Sequence, residues 1–242
     1  MDAAIPMRTL VVSAGLGLVD VQDRVPSYAA TFTPGTRDSI PSDPTGVTAR
    51  RWWWGLGGVE KFRRQVIEAK DPRLISAMPF RYLDAAQPGL LQFVEAHGSE
   101  RLVILGTENQ KARFPEFAES WADLDLSMVH ALGGTAGQLT ARALRWVCDQ
   151  VHEPGQITPS AVRKMVAPLA DPDAPPLYPK RIRRSPEEVR RWILAALAGE
   201  DPPTSATGAL RRFRGEGNAF EQKRFGRLYH ELVLSQEVDL GF

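Results

Sequence analysis

The sequence predicts an α/β fold, with a mostly parallel sheet flanked by helices, followed by a small helical C-terminal domain of helix-turn-helix or winged-helix type. Two observations lead there. Through residues 1–156, short β-branched or apolar runs alternate with helical stripes, the pattern of a layered sheet with helical crossovers. Residues 157–242 carry helical patterns only, and the charge changes with them. That part holds 14 Lys and Arg against 11 Asp and Glu, so the first part is slightly acidic although the 242-residue chain has a formal net charge of only +1. Pro154-Gly155 marks the change.

Taken in order, Thr9-Leu-Val-Val-Ser13 reads as a buried strand ending in the Gly-rich turn Ala14-Gly-Leu-Gly-Leu18. The next stretch, with Pro26, Pro34, Pro41 and Pro44, cannot hold a long helix and reads as a long functional loop. Residues 59–69 carry a helical stripe, and Leu74–Met78 a short strand. Pro79 to Ala96 reads as helix interrupted at Pro88, and Leu102–Leu105 as the clearest buried strand. A turn over Gly106–Asn109, a helix over 115–122 and a fourth strand over Leu124–Val129 follow. Gly133-Gly-Thr-Ala-Gly-Gln138 then leads into a helix over Leu139–Val151. In the second part Thr158-Pro-Ser160 starts one helix. Ser185-Pro-Glu-Glu188 starts another with a cap, a first-turn proline and a third-position glutamate. A last helical pair, over 204–214 and 218–235, is separated by Gly215-Glu-Gly217.

Composition narrows the function classes. One cysteine, Cys148, excludes an internal disulfide framework and a cysteine-based zinc cluster. The four histidines show no metal-ligand spacing, so neither metal nor cofactor is expected. No apolar run approaches the ~18 residues of a membrane span, and the start has no signal-peptide pattern, so the expectation is a cytoplasmic protein with no membrane partner.

Ser13-Ala-Gly-Leu-Gly-Leu-Val-Asp20, followed by Pro26-Ser-Tyr28 and Thr31-Phe32, is the first constellation. Gly-rich backbone at the carboxyl end of a strand is where open α/β sheets place ligands. Glycines that only permit a tight turn, with Tyr28 and Phe32 covering the sheet edge, are the plainer reading. The segment resembles one found in YaaA-type peroxide-stress proteins and in the glycosylase-like domains accompanying archaeal tRNA-guanine transglycosylases. Ser13, Gly17, Leu18, Asp20, Pro26 and Tyr28 carry the likeness, over about a tenth of the chain. The resemblance implies a domain that handles DNA or a nucleobase, with DNA as partner and defence against foreign or modified DNA as a setting. Such domains open with an earlier strand bearing a Cys or Ser and a Lys. Few residues precede Thr9, so either that half of the site is absent or a protein partner completes it.

Cleavage of an N-glycosidic bond, the reaction of a DNA glycosylase-like hydrolase, needs a polar group near the anomeric carbon and a reader of the base edge. Asp20, Asp38, Asn109 and His130 sit at expected loop positions and are the catalytic candidates. Ser13, Gly17, Tyr28, Phe32 and Trp53 are the substrate-binding candidates. Trp53 belongs to Arg50-Arg-Trp-Trp-Trp-Gly55, where cations beside aromatics suit base stacking as well as they suit a core with a partner surface. Gly133, Gly134, Thr135 and Arg142 form a candidate phosphate site at a helix start, or a plain capping turn. Arg183, Arg184, Arg211, Arg212, Arg214, Lys223 and Arg227 are the candidate contacts to nucleic-acid phosphates, or a solvated helix surface. A non-catalytic DNA-binding subunit of a multi-protein complex is the alternative to the enzyme.

Overall fold

A computed structural model describes residues 5–41, 43–177 and 180–239. The chain divides into two units, Met1–Pro175 and Pro176–Phe242.

The first unit is organised by β4 (Leu102–Gly106), in which every residue is buried. A continuous apolar run is what a strand covered on both faces requires. β3 (Leu74–Ser76) lies parallel on one side with Leu74 opposite Leu102, and β5 (Trp121–Asp123) lies parallel on the other with Trp121 opposite Ile104. α3 (Phe80–His97) makes the first crossover. α4 (Glu108–Lys111) and a 3₁₀ turn over Pro115–Ser120 make the second. Leu102 and Ile104 share a core with Leu83, Leu90 and Phe93 of α3. Alternation along the strand turns Val103 and Leu105 the other way. α6 (Leu139–Gln150) and α7 (Pro159–Val166) also pack on β4 and bury Leu139, Ala143, Val147, Val162 and Val166. Helices α1 (Val47–Gly55) and α2 (Gly58–Phe62) pack with α3, and α5 (Met128–Leu132) packs with α6.

Several expectations are corrected. The run ending at Ser13 does not join the parallel sheet. β1 (Leu10–Ser13) pairs antiparallel with β2 (Gly17–Asp20), so the Gly-rich segment is a hairpin turn and Asp20 lies on a strand. Residues 124–129 form no strand; the third strand of the sheet is the three residues before them, too short to show a period. Gly106–Asn109 leads straight into α4, capped by Thr107. The 59–69 stripe is α2 followed by a π-helical turn, Arg63–Ile67. α3 runs through Pro88 unbroken, because burial of Leu83, Leu90 and Phe93, about 1.5–3 kcal/mol each, offsets a proline cost of about 3 kcal/mol.

The boundary also moves. Arg163 of α7 donates from Nε to the Trp121 carbonyl at 2.6 Å, and α7 packs on β5, so this helix belongs to the first unit. The break falls at Pro175-Pro176 instead of at 156.

The second unit holds α8 (Pro186–Leu197), α9 (Ala206–Gly215) and α10 (Gln222–Asp239), around Val189, Ile193, Ala209, Leu210, Phe213, Phe225 and Tyr229. Ser185 caps α8 as its sequence indicates, accepting from the Glu188 amide while Glu188 accepts from the Ser185 amide. Residues 218–219 are not the start of the last helix. They form β7 (Asn218–Ala219), which pairs parallel with β6 (Ile182–Arg183) across α8 and α9. A wing is an antiparallel hairpin, so this pair is of another kind.

Candidate functional site

In the first unit the hairpin turn is the focus of polar contacts. Ser13 is buried, and its Oγ accepts from the amides of Gly15 at 3.2 Å and Leu16 at 3.0 Å while donating to the Tyr28 hydroxyl at 2.7 Å. Trp52 Nε1 donates to the Ala14 carbonyl at 2.7 Å and Lys61 Nζ to the Leu16 carbonyl at 3.0 Å. Gly17 has φ +76°, a conformation that side chains rarely adopt, and a Cβ there would stand 3.2 Å from the Leu56 carbonyl oxygen and 3.3 Å from Gly58 Cα, at the start of α2. Ser13, Gly17 and Tyr28 are thus brought together. Phe32 and Trp53 are buried beneath, 1% and 0% exposed, so both are core residues and neither offers a stacking face. Trp52 and Trp54 are the exposed members of the tryptophan run.

The four catalytic candidates do not converge. Asp20 pairs with Arg8 and accepts from the Gln22 amide; these contacts, the Gln22 amide first, hold its carboxyl below the usual range. Asp38 lies in the loop, where its carbonyl accepts from Thr31. Asn109 is in the first turn of α4, and His130, on α5, is held through Nε2 by the Pro175 carbonyl. Among the described residues no hydrogen bond joins any two of the four.

The Gly133-Gly134 turn also has an internal use. Both glycines have positive φ, and Arg142 lies against Gly134 and donates to the Leu132 carbonyl at 3.1 Å. The Thr135 amide is taken by the Gln138 side chain. Arg142 therefore braces the turn from within, and the Gly133 and Thr135 amides are taken by the Val129 carbonyl and the Gln138 side chain.

A buried carboxylate that the sequence did not mark lies in α3. Asp84 meets Arg113 at 3.0 Å, and its side chain fills the space beneath Gly46, whose φ is +73°. Arg113 also donates to the Pro44 carbonyl and lies over the Phe80 ring, so the pair ties the long loop to the sheet domain. A mostly apolar cleft of about 460 Å³ opens between β1 and β3, lined by Leu10, Val12, Phe62, Leu74, Met78 and Tyr82. Ser76 lines it too, and its buried Oγ has no partner.

In the second unit nine of the 12 basic side chains fall into two groups. Arg184 donates to Asn218 Oδ1 at 2.7 Å and pairs with Glu188; Arg190 pairs with Glu231; Arg212 pairs with Glu216; Arg214 donates to the Phe220 carbonyl. These are structural ties. Arg183, Arg191, Arg211, Lys223 and Arg227 are exposed and have no carboxylate within ion-pair distance among the described residues.

No protein-family model, curated protein or solved structure matches this chain.

Any functional reading therefore rests on the residues themselves. Among the described residues no helix is long and apolar enough to cross a membrane. Sequence reasoning missed Lys61, Asp84, Arg113 and Asn218. Asp84 and Asn218 had no local signal, since their partners lie 29 and 34 residues away.

Proposed function

We propose that this chain is a nucleic-acid-binding protein whose second unit grips phosphates. The observation that supports it is the set of unpaired basic side chains, Arg183, Arg191, Arg211, Lys223 and Arg227, on a unit with 12 Lys and Arg against 9 Asp and Glu. A solvated surface that serves only solubility intersperses the two signs, whereas a phosphate-binding surface leaves cations without local partners. DNA is the partner the first-unit resemblance favours, and a helix-turn-helix type of docking is compatible with a unit of three helices. Base excision is the finer form of the proposal. It would need substrate to bring Asp20 or Asp38 and Asn109 together, so binding comes first.

The test is the salt dependence of DNA affinity. Removing one cation that neutralises a phosphate lowers the slope of log K against log salt by about 0.9 for a duplex or 0.7 for a single strand. Arg183→Ala with Arg211→Ala is expected to flatten the slope by about twice that amount, and Arg212→Ala, which removes a paired side chain, by less. Equal slopes for the wild type and both variants overturn the assignment. An assay for alkali-labile sites on modified DNA tests the excision step separately.

The second reading, a non-catalytic subunit, is favoured by the cleft between β1 and β3. Among the described residues each strand has one neighbour only, and both line the same apolar space. A strand from a partner protein would pair there through backbone groups. A mass measurement on the natively purified protein tests it, a stable complex supporting this reading and a monomer opposing it.

A further inference from the structure

The parallel pairing of β6 and β7 has a geometric result. Each strand runs directly into a helix, β6 through Ser185 into α8 and β7 through Glu221 into α10, so the N-termini of a 12-residue and an 18-residue helix open at the same end of the pair. Between them is a cavity of about 350 Å³ lined by Arg183, Arg184, Phe220, Glu221 and Arg224. Both helix dipoles present their positive ends there. Arg184 is paired with Glu188, while Arg183 and Arg224 have no ion-pair partner among the described residues, and both oxygens of the Glu221 carboxylate are taken by the amides of Lys223 and Arg224. Arg224 lies over the Phe220 ring, 5.3 Å from its centroid. The cavity suits a phosphate.

Arg184 is the wall between this cavity and a second of about 240 Å³, lined by Glu188, whose carboxylate is paired with Arg184, and by Arg191, Trp192, Phe213 and Asn218. Asn218 is only 7% exposed. Its Oδ1 accepts from Arg184 Nε, and since a guanidinium only donates, the amide nitrogen must face the other way. That nitrogen has no acceptor among the described residues. Beside the Trp192 ring, that amide can donate to an acceptor on a flat ligand.

We infer that the second unit holds one unpaired nucleotide of a nucleic-acid strand. Its phosphate lies against Arg183 and Arg224, and its base lies in the Trp192 cavity with an edge acceptor on Asn218 Nδ2. This rests on the nucleic-acid reading above and adds to it that the preferred partner is single-stranded. A duplex keeps its bases stacked and paired and cannot offer one to the cavity without an unstacking cost.

Fluorescence anisotropy with the full chain tests it, using a thymidine ten-mer, an abasic ten-mer of equal phosphate count and a ten-base-pair duplex. The thymidine strand is expected to bind about ten-fold tighter than the abasic strand, as stacking of one base provides. Asn218→Asp keeps an acceptor for Arg184 but removes the donor, and is expected to bring the ratio of the two affinities near one. The added charge weakens both strands alike and cancels in the ratio. Arg224→Gln is expected to weaken both strands and leave the ratio unchanged, with circular dichroism verifying that each variant is folded. A ratio near one in the unaltered protein, a ratio unaffected by Asn218→Asp, or a preference for the duplex overturns the nucleotide site while phosphate binding stands. Failure of all three probes to bind overturns the nucleic-acid reading itself.

Discussion

Ser13 Oγ donates to the Tyr28 hydroxyl at 2.7 Å, and the ring of that tyrosine lies against Gly15, so that a Cβ at residue 15 would stand 2.5 Å from Tyr28 Cδ2. Gly15→Ala is therefore expected to push Tyr28 off the turn and to break the hydroxyl contact. A crowded side chain forced to move costs about 1–3 kcal/mol. Chemical denaturation measures it; wild-type stability would show that Tyr28 moves freely.

Gly46 carries two constraints at once. Its φ is +73°, and a Cβ there would stand 2.6 Å from Asp84 Cγ. Gly46→Ala strains the backbone and displaces the carboxylate from Arg113, and a loss of more than about 1 kcal/mol is expected in chemical denaturation. Gly35 also has positive φ but nothing within 4 Å, so Gly35→Ala isolates the backbone component.

The three tryptophans of α1 separate by depth. Trp53 is 0% exposed and covers Gly58, and its substitution by Ala is expected to cost about 3–5 kcal/mol. Trp54 is 61% exposed, so Trp54→Ser is expected to change stability by no more than about 0.5 kcal/mol. Thermal unfolding of the two variants decides between this assignment and a core in which Trp54 is the anchor.

Asp43 holds the start of α1. Its carboxylate accepts from the Thr45 hydroxyl and from the Thr45 and Thr48 amides, and these contacts, the Thr45 hydroxyl first, hold its pKa well below the usual carboxylate range. A lowered native pKa stabilises the fold fully above the unfolded value of about 3.9, and that contribution is lost as the pH falls through the native value. The Tm of the wild type is expected to fall further than that of Asp43→Asn between pH 5 and pH 2.5. Parallel curves would show that Asp43 has no linked proton.

Cys148 is half-buried on α6, and burial, aided by the Asp149 charge, pushes its thiol pKa up. Since the thiolate is the reactive form, alkylation at pH 7.5 is expected to be slower than for free cysteine and to recover on unfolding. Fast modification of the folded protein would contradict this.

Much of the architecture is legible where one element carries its own signal. β4 is a run of apolar residues bounded by Arg101 and Gly106, and α8 has its cap, proline and glutamate within four positions. β5, β6 and β7, at two or three residues each, have no period to read, and pairing alone makes them strands. The hairpin is hidden for a related reason. Leu10–Ser13 is apolar enough for a buried strand, but only the pairing of Val11 with Val19 and of Ser13 with Gly17 shows that the chain turns back.

The sequence alone determined the central strand, the capped helices, the change of charge along the chain and the basic character of the second part, because each depends on residues close together in the chain. Tertiary structure decided which cations are free. Arg183 and Arg184 are adjacent and chemically identical, yet Arg184 is held by Asn218 and Glu188 while Arg183 has no ion-pair partner among the described residues. That difference arises from the parallel pairing of β6 with β7, which brings residue 218 to residue 184 after two intervening helices. No local pattern contains it.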